Sequence, residues 1–177
     1  MIRVCDFFFS FMGLIFLSPI LILLFLIGLV DNGSPLFLQK RVGRNLKSFL
    51  LIKFRTMPIG TKSAGTHLVK DIKFTAFGYF LRRSKLDEIP QLYNVLLGDM
   101  SLVGPRPCLF NQKKLINDRK KRGVFKVRPG ITGLAQISGI NMKIPTLLVK
   151  MDQKMIKETS LYNYFYYIFK TILLLKN

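Results

Sequence analysis

Hydrophobic positions in this chain fall into one long block, several short periodic stretches and an aromatic tail. From Phe7 to Val30 no charged residue occurs, and Phe, Leu and Ile dominate. Entering or crossing a hydrocarbon core takes roughly 20 apolar residues, and this block is long enough. It is too long for a signal-peptide core, and Asp31-Asn32-Gly33-Ser34-Pro35 follows it instead of a small-residue cleavage pattern. A retained membrane segment is expected. Ser18-Pro19 interrupts its middle. Pro19 has no N–H to give, which frees carbonyls near Leu14 and Ile15, and the Ser18 hydroxyl is placed to satisfy part of that loss. Two arrangements fit these residues: a kinked spanning helix, and a re-entrant helix that breaks at Ser18-Pro19 and returns to its own face. The spanning helix is the commoner of the two.

Beyond the block, Pro35 to Lys40 and Ser48 to Phe54 read as strands around a Gly43-Arg44-Asn45 turn, predicting a short β-hairpin. Thr56 to Val69 is a polar loop. Asp71 to Arg83 is a candidate amphipathic helix. Leu86, Ile89, Leu92, Tyr93 and Leu96 recur at helical spacing from Leu86 to Leu97, and Gly98 is placed to end that helix. Gly104-Pro105-Arg106-Pro107 and Arg128 to Gly133 are Gly/Pro loops, with a basic helix from Leu109 to Arg122 between them. Thr159 to Lys176 is aromatic and aliphatic and lacks acidic residues, as in a helix lying in the membrane interface; the alternative is a buried core helix. The pattern predicts one mainly helical α+β domain over 1–177. Its parts are a membrane segment at about 5–30, a catalytic region at about 31–150 and an interfacial helix at about 159–176.

Charge adds an orientation. The formal charge is +19, from 28 Lys and Arg against 9 Asp and Glu. No acidic residue occurs from Asn32 to Lys70, while Lys40, Arg41, Arg44, Lys47, Lys53, Arg55 and Lys62 do. The positive-inside rule puts this side in the cytoplasm. Such a surplus seeks a polyanion: an anionic bilayer, nucleic acid or phosphorylated substrates. Nucleic acid is disfavoured, because the aromatics sit in apolar runs and not on a basic face. His67 is the only histidine, and Cys5 and Cys108 form no motif, which disfavours structural zinc, a disulfide framework and a serine triad.

Against this scarcity of acid, Asp87 and Glu88 stand adjacent before Pro90. Asp is a favoured helix N-cap, so the pair has an ordinary reading as the start of a helix. In that position the helix dipole, with Arg82, Arg83 and Lys85, would keep Asp87 ionised. An ionised Asp can attack phosphorus, and its neighbour can help hold Mg²⁺. Lys53, Arg55, Arg106 and Arg128 sit on strand ends or stiff Gly/Pro loops, and Arg presents a planar fork to phosphate oxygens. Gly104, Gly130 and Gly133 would let backbone N–H groups approach an anion.

These residues resemble a known family. The string from Lys85 to Pro107, KLDEIPQLYNVLLGDMSLVGPRP, is similar to the signature of the bacterial sugar transferases, the monotopic phosphoglycosyl transferases. Gln39 to Gly43, Lys53 to Met57, Arg128 to Gln136 and the Ser18-Pro19 break match in the same order. The resemblance implies a minimal catalytic form, with a re-entrant helix whose two ends face the cytoplasm of a bacterial inner membrane. It implies Asp87 as nucleophile, Glu88 as its partner and Mg²⁺ held by both. Lys53, Arg55, Thr56, Arg83, Arg106, Arg128, Gly130 and Gln136 are the expected substrate-binding residues. The implied reaction moves a sugar phosphate from a UDP-sugar, expected to be an N-acetylated amino sugar, to polyprenyl (undecaprenyl) phosphate, releasing UMP and feeding downstream glycosyltransferases. Asp87 and Glu88 as mere metal ligands in a direct ternary transfer, and a non-catalytic basic membrane module, are the alternatives. Ile140 stands where the family usually has Arg, and Lys154-Met155 and Asn163 or Tyr164 also depart from its pattern.

Overall fold

The computed structural model describes residues 1–61 and 73–174. His67, Lys62, Asp71 and Lys176 lie outside the described residues, as does most of the expected Thr56 to Val69 loop. The apolar block forms one helix, α1 (Ile2–Asn32, 31 residues). It runs through Ser18-Pro19 without separating into two helices. Pro19 removes the donor that Ile15 would have faced, and the Ser18 hydroxyl donates to the Ile15 carbonyl at 2.7 Å. The local repair expected from the sequence is present. Large apolar side chains of α1 stand outward, among them Phe16 (76% exposed) and Val30 (90% exposed).

The hairpin pairs β1 (Leu36–Val42) with β2 (Ser48–Phe54), antiparallel, from Leu36 opposite Phe54 to Val42 opposite Ser48. Its turn carries Asn45 and Leu46 at positive φ. Next comes α2 (Ala76–Ser84), capped by Thr75, whose hydroxyl accepts from Gly78 N at 2.9 Å. The single helix expected from Leu86 to Leu97 is instead a tight turn at Leu86–Glu88 followed by α3 (Gln91–Leu97). Pro90 begins α3, since its missing N–H costs nothing there. Gly98 ends it in the left-handed conformation, as its position predicts.

A second, two-stranded sheet joins β3 (Ser101–Val103) in parallel to β4 (Gly130–Thr132), bracketing α4 (Lys113–Lys121). The short α5 (Leu134–Ile137) and the longer α6 (Pro145–Lys157) follow, and α7 (Leu161–Leu174) closes the described chain. Tyr164 and Tyr167 are buried, but Tyr162, Phe165 and Phe169 stand out. The helix therefore has one buried and one exposed aromatic face.

Among the described residues three hydrophobic clusters hold the body together. Leu24 of α1 packs with Phe54 and Leu81; Phe49, Leu51, Val95 and Met100 fill the space under the hairpin; Val42, Cys108, Leu115, Leu148 and Val149 form the third. Two polar anchors position the rest. Asn94 of α3 accepts from Ile52 N at 3.0 Å and donates to Leu50 O at 2.7 Å, so its amide serves β2 as a neighbouring strand would. Asp6 is buried near the start of α1 and accepts from Ser101 Oγ, Leu102 N and the Tyr164 hydroxyl, each at 2.9 Å.

Candidate active site

Strand periodicity builds the floor. Phe37, Gln39 and Arg41 alternate along β1, and the register pairs Phe37 with Lys53 of β2, which places these four on one face; Arg55 follows directly after β2. They line a cavity of about 970 Å³ with Asp87, Glu88 and Arg106. Lys53 Nζ and the Arg55 guanidinium lie over the Phe37 ring, at 5.3 and 5.4 Å from its centre. That contact aims two cations along one wall. Arg55 is braced by Ser34 O and Leu36 O.

The tight turn between α2 and α3 delivers the acids. Asp87 is buried inside it and is not the cap of α3, which corrects the helix-cap reading. Burial, and then Glu88, push its carboxyl above the ordinary aspartate range; Lys53, Arg82 and Lys85 oppose them. The expected electrostatics are therefore reversed, because desolvation outweighs the nearby cations. Among the described residues no hydrogen-bond donor occupies the Asp87 carboxylate. Glu88 differs. Burial alone would raise it, but Arg106 overrides burial and holds it below the usual glutamate range. Arg106 Nη2 donates to Glu88 Oε1 at 2.5 Å. Two adjacent carboxyls are thus driven apart: one paired and ionised, one desolvated and unheld.

Arg106 is itself fixed from behind. Arg119 is fully buried on α4, and its Nη1 donates to the Arg106 carbonyl at 2.8 Å. Its other end pairs with Asp152 of α6, also fully buried, at 2.7 and 2.9 Å to Oδ2. Arg41 donates to Pro107 O at 3.1 Å and steadies the other side of the same loop.

Not every expected residue reaches the cavity. Lys53, Arg55, Thr56, Arg106 and Gln136 line it, with Thr56 buried and Gln136 donating to Gly104 O at 3.3 Å. Arg83 points away to the exposed side of α2, and Arg82 takes the inward position. Arg128 Nε donates to Gly98 O at 2.7 Å at the end of α3, away from this cavity. Gly130 serves packing: a Cβ there would come 2.0 Å from Gly104 N. The Gly104 and Gly130 N–H groups bond Thr132 O and Pro105 O, so neither is free for an anion. From the sequence Arg82 is expected only as a charge beside Asp87 and Arg41 only as part of a basic flank and motif, and Arg119 and Asp152 are not expected at the site. For Arg41 and Arg82 the signal was available in strand alternation and helix phase; for the Arg119–Asp152 pair, 33 residues apart, it was not.

Comparison with known proteins identifies the family. The sequence profile of the family described as "Bacterial sugar transferase" matches residues 1–176. A Salmonella typhimurium protein named undecaprenyl-phosphate galactose phosphotransferase is 37% identical over 96% of this chain and 39% of its own length. The exopolysaccharide production protein ExoY of Rhizobium meliloti is 35% identical over 90% of this chain and 78% of its own. An uncharacterized sugar transferase of Haemophilus influenzae is 34% identical over 96% of this chain. The chain spans about 40% of that last protein, so it corresponds to one part of several relatives. With one profile covering nearly every residue and these identities alongside it, the chain belongs to the bacterial sugar transferase family.

Proposed function

We propose that this chain is a phosphoglycosyl transferase that carries a sugar phosphate from a UDP-sugar to polyprenyl phosphate through Asp87. The observation that carries the reading is the contrast between two adjacent acids. Glu88 is held by Arg106, whereas Asp87 is buried, desolvated and, among the described residues, free of hydrogen-bond donors in a cationic cavity. A carboxylate in that state is a nucleophile. One Asp87 oxygen attacks the β-phosphorus of the donor, the bond from that phosphorus to the UMP oxygen breaks, and UMP leaves. An oxygen of polyprenyl phosphate then attacks the same phosphorus, the Asp87–phosphorus bond breaks, and polyprenyl-diphosphate-sugar forms. Lys53, Arg55 and Arg106 neutralise the non-bridging oxygens during both displacements.

Mg²⁺ fits the donor set. It is held by one or two carboxylates plus substrate phosphates, and Asp87 with Glu88 offers that pair. When bound it would offset the charge of the donor diphosphate. Among the described residues no group of three acidic, His or Cys side chains offers a fuller cage.

The same reading covers the membrane. A helix of 31 residues is ~46 Å long, and it touches the catalytic body along its length. Arg3 donates to Val95 O and Leu96 O, Gly13 lies against Leu92, Leu24 packs on Leu81, and Asp31 accepts from the Thr75 hydroxyl. A helix crossing the bilayer would carry one end away from a body on the cytoplasmic face. Contacts at both ends support a monotopic, re-entrant arrangement on the cytoplasmic side of the bacterial inner membrane. The donor sugar is expected to be an N-acetylated amino sugar, while the Salmonella relative is named for galactose. UMP release from UDP-N-acetylglucosamine, UDP-galactose and UDP-glucose with polyprenyl phosphate ranks the donors. Asp87→Asn is expected to abolish that release while the protein stays in the membrane fraction. Full turnover by this variant contradicts the assignment.

A further inference from the structure

A second cavity of about 260 Å³ lies apart from Asp87, where the start of α1 meets the start of α7. Four cations border it: Arg3, Arg44, Lys126 and Arg128. Arg3 and the Arg128 Nε are partly used on the carbonyls that end α3. Among the described residues the Arg128 Nη groups have no hydrogen-bond acceptor, and Arg44 and Lys126 are exposed. The acid that borders the cavity is Asp6, whose Oδ1 already accepts from three donors. Arg128 sits below the usual arginine range, from burial first and then from Arg44 and Arg3, with Asp6 opposing. Like charges gathered this closely fit an anion between them.

The remaining wall is apolar, including Val103 and Met155. The same two helices carry exposed apolar and aromatic side chains near these ends: Val4 (72% exposed) and Phe8 (54%) on α1, and Tyr162 (78%) on α7. Outward aromatic and aliphatic residues at a helix end belong at the level of lipid headgroups. The ligand chemistry is therefore a phosphate ester with an apolar attachment.

We propose that this cavity binds the phosphodiester headgroup of an anionic phospholipid, at a site separate from the catalytic cavity. The site fixes the α1–α7 corner of the protein at headgroup depth. A free phosphate monoester shares the head chemistry and lacks the apolar part.

The test is calorimetric titration of the full chain in a neutral detergent with dihexanoyl-phosphatidylglycerol, dihexanoyl-phosphatidylcholine and inorganic phosphate. Phosphatidylglycerol is expected to bind saturably with one site, and more tightly than the other two. Arg44→Gln combined with Lys126→Gln should weaken it about tenfold, since each cation near a headgroup contributes appreciably. Lys120→Gln with Lys121→Gln removes equal charge from the exposed face of α4 and should change it less than about twofold. Absence of saturable binding, or equal weakening by both pairs, overturns the proposal. Inorganic phosphate binding as tightly as the lipid overturns the lipid assignment and marks a free phosphate site.

Discussion

Arg106 donates to Glu88 at 2.5 Å across the cavity, from a loop held between prolines to the turn that carries Asp87. The contact places a guanidinium beside Asp87, the proposed nucleophile, and keeps the second carboxylate ionised. Arg106→Lys keeps a charge but loses the planar fork. It is expected to lower kcat/KM about 100-fold, the scale for losing one well-placed donor to a developing anion. Arg106→Lys at wild-type rate in the UMP-release assay would show that this geometry is dispensable.

The buried pair behind that loop should separate stability from activity. Asp152→Ala strands the Arg119 guanidinium and is expected to cost about 3–5 kcal/mol, read as a fall in the unfolding midpoint. Arg119→Met with Asp152→Leu removes both charges and should recover most of that loss. Activity should stay low in the double variant, because the Arg106 carbonyl has lost its 2.8 Å donor. Recovery of activity together with stability would reduce the pair to packing.

Lys53 sets an alkaline limb. Burial lowers its ammonium to about 8, against the pull of Asp87. The protonated form is the one that binds phosphate, and it is lost as pH rises through that value. The pH profile of kcat/KM, which reports the free enzyme, should fall above about 8. Lys53→Arg should carry the limb to higher pH. An unchanged profile in Lys53→Arg would assign the limb to another group.

Membrane placement is tested at the two ends of α1. Cys5 lies near one end, and Asn32→Cys marks the other. A membrane-impermeant maleimide should label both from the cytoplasmic side of inside-out vesicles and neither from the opposite side. Labelling of the two positions from opposite sides would establish a spanning helix instead.

Much of this was legible in the residues because the signals are local. Alternation marked the hairpin, Gly98 marked the end of α3, and Ser18 sat within reach of the carbonyl that Pro19 leaves free. The misses came where tertiary packing decided. Asp87 resembles an N-cap by its neighbours, yet Lys85 adopts a left-handed conformation and starts a separate tight turn. Arg128 looked like a phosphate ligand, and the end of α3 took its Nε. Gly104 and Gly130 suggested an anion nest, but their closeness to each other explains both. Arg119 reads as one more cation on a solvated basic helix; only the fold brings Asp152 beneath it. Asp6 and Tyr164, 158 residues apart, gave no sequence signal for their contact.

The central claim is that Asp87 carries the phospho-sugar. Intact-protein mass spectrometry after incubation with UDP-sugar and Mg²⁺, without polyprenyl phosphate, tests it most directly. The account predicts a mass increase of one sugar phosphate, mapped to Asp87, matched by one equivalent of UMP and discharged when polyprenyl phosphate is added. Turnover with both substrates present but no adduct and no UMP burst without acceptor would contradict it.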